Sequence, residues 1–519
     1  MRRGTARAGA LRSDTIRNFL GYVPTFIVHE DLMTNLQSLQ SVRSWRLGFA
    51  TAVFWVCCYT STQLPAQPVI GPDVIVSELG PITKWGTLLG ITAYSISTTS
   101  CNLGDAEASW LEFSDQHPVI AQNMYRVANG RIEQIGMSWV KHGFCALFEP
   151  TCGTCQPSTA PPCEALGIGC ADTYGSSLNG AQGGLGPRSE INPYTGEFPY
   201  PFSFIGLTGP LLYKRINVSQ ADLNPTLFPG ALYYYEAQYV HPEEFAWDTQ
   251  YNNISHRRFN VGTLQTDGYV LNPSGIVLEQ EPALNAWRTA DPAVDIQDLA
   301  VPDDGMLMLG ARATELGGGL WHYEYALANR NSHRAARTFA VTLGAGAVVT
   351  NLYFHDIHHH SGEPYSTTDW TAEVTPSRVT WRTETFVQNP NANAVYWGTL
   401  YNFAFDCNVA PQTSQLLVGL FRPGVVQEVA TTAVGPGQSC STPDFVRGNM
   451  NGDVGLDISD AVYMLAYLFT SGAAPLPTLA AGDVNGDSSY DISDAVYLLA
   501  FLFSGGAQPP FPYPAPGCI

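Results

Sequence analysis

Oxygen-bearing side chains recur in register near the C-terminal end of the sequence, with the spacing of a cation loop. Residues 449–469 read NMNGDVGLDISDAVYMLAYLF and residues 483–503 read DVNGDSSYDISDAVYLLAFLF, so most positions coincide. Asn449, Asn451, Asp453, Asp457 and Asp460 fall at positions 1, 3, 5, 9 and 12 of the first copy; Asp483, Asn485, Asp487, Asp491 and Asp494 fall there in the second. A hard cation such as calcium takes about six to eight oxygens at roughly 2.3–2.6 Å, and a tight loop turns alternate side chains inward to supply them. Position 7 gives a backbone carbonyl, so Gly455 and Ser489 serve equally. Two calcium ions are expected, with the second loop tighter because it has Asp483 where the first has Asn449. The competing reading, an Asp/Asn-rich turn that only caps a helix, must account for the same pattern twice.

The other dense group is His355-Asp356-Ile357-His358-His359-His360. It follows an apolar run, 348–354, that reads as a strand, so the imidazoles lie at a strand end or in a loop. If the strand continues, His358 and His360 share a face and, with His355 and a distant ligand such as His142 or His117, could hold copper or zinc. A solvated loop ending in the turn Ser361-Gly362-Glu363-Pro364 is the bland alternative. Glycoside hydrolysis needs two carboxyl groups set across a sugar ring. Glu279 with Glu281, Glu243 with Glu244, and Glu363 with Asp369 are available, but adjacency in sequence does not supply that geometry, and no catalytic residue is assigned.

Each cation loop should run directly into a helix. Ser459 or Asp460 can cap the first, and Val462, Leu465 and Phe469 recur near helical spacing, as do Val496, Leu499 and Phe503. These apolar faces are expected to pack the two units together. On these residues, 444–519 resembles the dockerin family, type I-like. The resemblance implies duplicated EF-hand-type calcium loop-helix segments. It also implies a cohesin-like or other surface or scaffold protein as partner, in a setting of extracellular polysaccharide binding or degradation. Two departures stand out: Val454 and Ser488 occupy position 6, where EF-hand loops carry Gly, and Asn449 replaces an Asp.

Short runs rich in β-branched and aromatic residues fill 206–435, among them 231–240, 320–328, 338–343, 348–354, 395–405 and 416–421. The fold class expected is mainly β: an antiparallel β-sandwich body with a small α-helical C-terminal module, joined by a linker at 436–443. In Trp321-His322-Tyr323-Glu324-Tyr325, alternation puts aromatic residues in a core and polar ones in solvent. The Cys- and Gly-rich stretch 67–205 is either part of that body or separate. A charged fraction of 13%, with 49 Gly and 36 Pro, suits such a turn-rich β protein. The formal charge of −20 argues against nucleic acid as a partner.

Residues 1–66 read as a leader. Arg43 and Arg46 precede the apolar run 47–58, and a polar stretch reaches Leu64-Pro65-Ala66, the parts of a secretory signal peptide in 43–66. The run falls short of the ~20 residues of a spanning helix, so cleavage near Gln67 is expected, with no membrane span afterwards; a retained N-terminal anchor is the alternative. The protein is then secreted or at the cell surface. Eleven cysteines fall to nine once Cys57 and Cys58 leave with the leader. In an oxidising compartment Cys145, Cys152, Cys155, Cys163 and Cys170 read as disulfide-stapled loops, and Cys440 and Cys518, which flank the repeat pair, as a clasp. Three functions remain open: partner attachment with a polysaccharide ligand, a secreted copper- or zinc-dependent enzyme, and a structural cell-surface or matrix protein.

Overall fold

The computed structural model describes residues 71–510, 512 and 513, except 345, 438–444, 454 and 488. The leader, Cys440, Cys518 and most of the linker lie outside the described residues. The chain is mainly β, and its strands make four large antiparallel sheets among the described residues.

The first sandwich faces two sheets together. One runs in the order Val74–Leu88, Ile91–Asn102, Ile216–Ser219, with Ala171–Tyr174 also paired to Ile91–Asn102. The other runs Gly268–Leu278, Ile254–Gln265, Leu232–Val240, Val119–Ala128, Val140–His142, Leu185–Gly186, with Arg131–Met137 paired to Val119–Ala128. Strands from both sides of residue 205 share these sheets, so the Cys- and Gly-rich region is part of the body. Three disulfides, Cys101–Cys152, Cys145–Cys163 and Cys155–Cys170, staple its loops. Such bonds persist in oxidising compartments. Cys152 and Cys155 therefore each belong to a separate disulfide.

The strand series beyond residue 290 closes a second sandwich. One sheet orders Asp295–Ala300, Met306–Gly317, Leu320–Asn329, Leu400–Cys407, Val349–His355; the facing sheet orders Thr371–Val374, Arg378–Arg382, Ala336–Thr342, Pro411–Leu420, Glu428–Pro436. The expected run 395–405 is strand only in its second half; a turn precedes it. Cys407 is unpaired and buried in this second core.

Period-two alternation explains how the sandwiches join. Along Leu232–Val240, Tyr233, Tyr235, Ala237 and Tyr239 enter the first core, whereas Tyr234 points the other way into a third cluster with Trp287, Met308, Ala326 and Leu400. Along Leu320–Asn329, Tyr323, Tyr325 and Leu327 enter the second core. The expectation that its polar face meets solvent is corrected: Glu324 is 3% exposed and pairs with Arg131 of the first sandwich at 2.5 Å. Polar residues occupy that face because it seals against another sheet through matched partners. Gln134 donates to Gly398 O and accepts from Leu400 N, Asn402 donates to Ile132 O, and Trp397 donates to Gln238. The short helix Asn285–Ala290 inserts Trp287, fully buried, against Gly310, where a Cβ would stand 2.9 Å from the indole ring.

At the C-terminal end, helices Ile458–Thr470 and Ile492–Ser504 pack on each other through Ala461, Met464, Ala495 and Leu498, with Met450 and Val484 beneath. Of the face expected to make this contact, Leu465 and Leu499 pack against this cluster, but the rest is turned outward. Val462, Phe469, Val496 and Phe503 are each more than half exposed. Small Ala461 and Ala495 let the helices approach closely, and the bulkier stripe is turned outward. No helix among the described residues is long and apolar enough to cross a membrane.

Candidate functional site

The two repeated loops are built alike at most positions. Asp460 Oδ1 accepts from Met450 N at 2.8 Å and Asn451 N at 3.3 Å, and its Oδ2 accepts from Asp457 N at 3.0 Å. Asp494 accepts from Val484 N at 2.7 Å, Asn485 N at 3.2 Å and Asp491 N at 3.1 Å. These carboxylates bind the start of each loop to the start of each helix. Asp457 and Asp491 complete the capping boxes, accepting from Ser459 N and Ser493 N. Burial holds Asp460 and Asp494 above the usual carboxyl range, whereas hydrogen bonds from Ser459 and Ser493 hold Asp457 and Asp491 below it.

Positions 3, 5 and 7 repeat as well. Asn451 Oδ1 accepts from Asp453 N, and Asp453 Oδ1 from Gly455 N, both at 2.9 Å. Asn485 and Asp487 do the same for Asp487 N and Ser489 N. Gly452 and Gly486 turn the chain at φ +73° and +76°, a left-handed bend that suits glycine. The donor set is all oxygen and strongly anionic, which fits a hard cation. Position 1 differs. Asn449 bonds within its loop, to Gly452 N and Asp453 O, whereas Asp483 is 6% exposed and lies 3.1 Å from the Arg447 guanidinium. Arg447 offsets part of the charge that favours the second loop.

The histidine run has separated duties. His355 ends its strand, and the loop that follows closes over the first sandwich. His355, His358 and His360 line a cleft of about 580 Å³ with Gln134, Tyr213 and Asp222; His142 is not in its wall. His358 is exposed. His360 Nε2 faces the carbonyls of Met137, at 3.2 Å, and Arg215, which can only accept, so it carries the proton and leaves Nδ1 as the free nitrogen. Burial lowers the His360 pKa to about 4, so the ring is neutral. His359 also lines the cleft, and its ring packs against Tyr365 and Tyr396.

His142 lies in the first sandwich beside His117. The Nδ1 of His117 faces Leu111 O, so its Nε2 accepts from His142 Nδ1 at 3.1 Å. The remaining nitrogen of His142 is sealed, because a Cβ on Gly186 would stand 2.7 Å from it and Phe202 stacks on the ring at 3.7 Å. Among the described residues no three His, Cys, Asp or Glu side chains gather in a metal-holding group.

Of the acidic pairs, Glu279, Glu281 and Asp369 are exposed, and the other three carboxylates have structural partners. Glu243 accepts from Ser109, Glu244 from Val74 N, and Glu363 from the amides of Arg188 and Ser189 across the sandwich junction. The residues that sequence reasoning missed are those of this junction. Buried Arg188 donates to Ser138 O, Gln122 O and Asn123, and Glu236 accepts from Asn123, Tyr125 and Ala283 N. Their partners lie far apart in sequence, and no spacing rule links them.

No family model matches the chain, and no curated protein matches it. Among solved structures it is similar to the N-terminal domain of the Streptococcus gordonii adhesin Sgo0707, at 7% identity over 66% of this chain and 60% of that one, with a TM-score of 0.16. It is also similar to the serine-rich repeat adhesion glycoprotein Srr1 of Streptococcus agalactiae, at 8% identity over 70% of this chain and 98% of that one, with a TM-score of 0.18. At these TM-scores neither fold nor role carries over.

Proposed function

We propose that this is an exported structural or adhesive β protein, held to a partner protein by a calcium-dependent C-terminal module. The supporting observation is the duplicated loop with its outward stripe. Both loops repeat the same bonds from Asn451, Asp453, Asp457 and Asp460 and from Asn485, Asp487, Asp491 and Asp494. Each also presents the same apolar side chains outward, Ile458, Val462 and Phe469 or Ile492, Val496 and Phe503. Exposed apolar stripes at one helical spacing suit a partner with an apolar face. When bound, calcium supplies the positive charge that lets several carboxylates share one loop. Asp460 and Asp494, which tie loop to helix, then fix where each stripe points.

The test is surface binding of the full chain to a panel of cohesin modules, with calcium and with chelator. Binding that needs calcium and is lost in a Val462→Asp/Val496→Asp variant supports the proposal. Binding that persists in chelator, or survives the variant, counts against it. A glycan array separates a polysaccharide-binding body from a purely structural one.

A second reading, a copper- or zinc-dependent enzyme, is favoured by the four histidines that line the 580 Å³ cleft. Stoichiometric copper or zinc in the purified chain, reduced by His358→Ala, would support it.

A further inference from the structure

Near the start of the first sandwich, two carboxyl groups are buried together with no cationic side chain among the described residues paired to them. Asp73 is 2% exposed and Glu244 0%. Glu244 Oε1 accepts from Val74 N at 2.8 Å, which sets it against the residue next to Asp73, and its Oε2 accepts from Asn253 Nδ2 at 3.3 Å. Burial raises both carboxyl groups above their usual range, and the Asp73 charge raises Glu244 further. No Lys, Arg or His side chain is among the groups acting on either.

A second observation is independent of charge. Asp73 Oδ2 accepts from Asn252 Nδ2 at 3.2 Å, but Asp73 Oδ1 and Asn252 Oδ1 are buried without a partner. On the same loop, Oε1 of Gln250 is also buried and unpartnered. Buried polar atoms in folded proteins are nearly always satisfied, so these oxygens call for a group the chain does not supply. Uncompensated buried carboxylates repel an anion, and a set made only of oxygens disfavours soft metals. A divalent hard cation answers both needs, and carboxylate oxygens that already accept one hydrogen bond keep a lone pair for it.

We propose that Asp73, Glu244 and Asn252 hold a calcium ion inside the first sandwich, distinct from the C-terminal loops. The ion joins the strand Val74–Leu88 to loop 249–253, which Thr249 already ties to Pro72 O at 2.8 Å. The site does not depend on the attachment reading.

The experiment is equilibrium dialysis of the full chain against calcium alone, in four forms. These are the wild type, Asp73→Asn, a loop variant carrying Asp453→Ala, Asp457→Ala, Asp487→Ala and Asp491→Ala, and the loop variant with Asp73→Asn added. The loop variant should keep one ion, and adding Asp73→Asn should remove it. If the loops bind nothing, the wild type still retains one ion that Asp73→Asn removes, so the two proposals fail separately. A loop variant that binds no calcium at millimolar concentration overturns the proposal without requiring Asp73→Asn to fold, and so does an ion that survives when Asp73→Asn is added to the loop variant.

Discussion

Two neighbouring imidazoles of the histidine run do different work. His360 is buried and bonded to Met137 O, whereas His358 is exposed. His360→Ala leaves the buried Met137 carbonyl and the part-buried Arg215 carbonyl without this donor and should cost about 1–3 kcal/mol in denaturant unfolding; His358→Ala should stay within about 0.5 kcal/mol. The run itself was legible in the sequence. The His360 partners were not, since Met137 and Arg215 lie on strands and loops far away in the chain. His322 gives the pH prediction. Hydrogen bonds to Glu324, at 3.3 Å, and to Asp406, at 2.7 Å, raise its pKa in the folded state. A raised histidine contributes stability that is complete below the unfolded value, about 6.5, and is lost as pH rises through the folded one. Melting temperature should therefore fall across that interval, above about pH 6.5, and His322→Gln should remove the step.

Among elements, the loop-helix pairs were the most legible, because ligand spacing and capping are local. The caps sit slightly earlier than expected: Asp457, not Ser459 or Asp460, is the N-cap of the first helix, with Asp460 closing the capping box, and Asp491 caps the second. Which face packs was not legible. These helices are apolar nearly all round, and the choice between the stripe at Val462 and the stripe at Ala461 and Met464 is made by the partner helix. Asp494 both closes its loop and anchors the helix start, so Asp494→Ala should weaken calcium binding more than Asp453→Ala in calorimetry. The Arg447 charge beside Asp483 narrows the difference between the loops. Equal losses in the two variants would remove the ranking.

In the whole molecule, composition and alternation made the β class legible, and the Cys-rich spacing made the staples legible. The division into two sandwiches was not. The strand face carrying Glu324 read as solvated, yet it seals the junction with the faces carrying Glu236 and Gln134, because each finds a buried partner there. Trp287, fully buried there, should be the most costly single truncation, at about 3–5 kcal/mol for Trp287→Ala, with both sandwiches melting in one transition. Two separate transitions in the wild type would show that the junction does not couple them. The most direct test of the proposal that the C-terminal module depends on calcium is hydrogen exchange over residues 449–504 of the full chain, with calcium and with chelator. Ion binding to the folded state should slow exchange in both loops and both helices. Identical exchange at millimolar calcium and in chelator would contradict it.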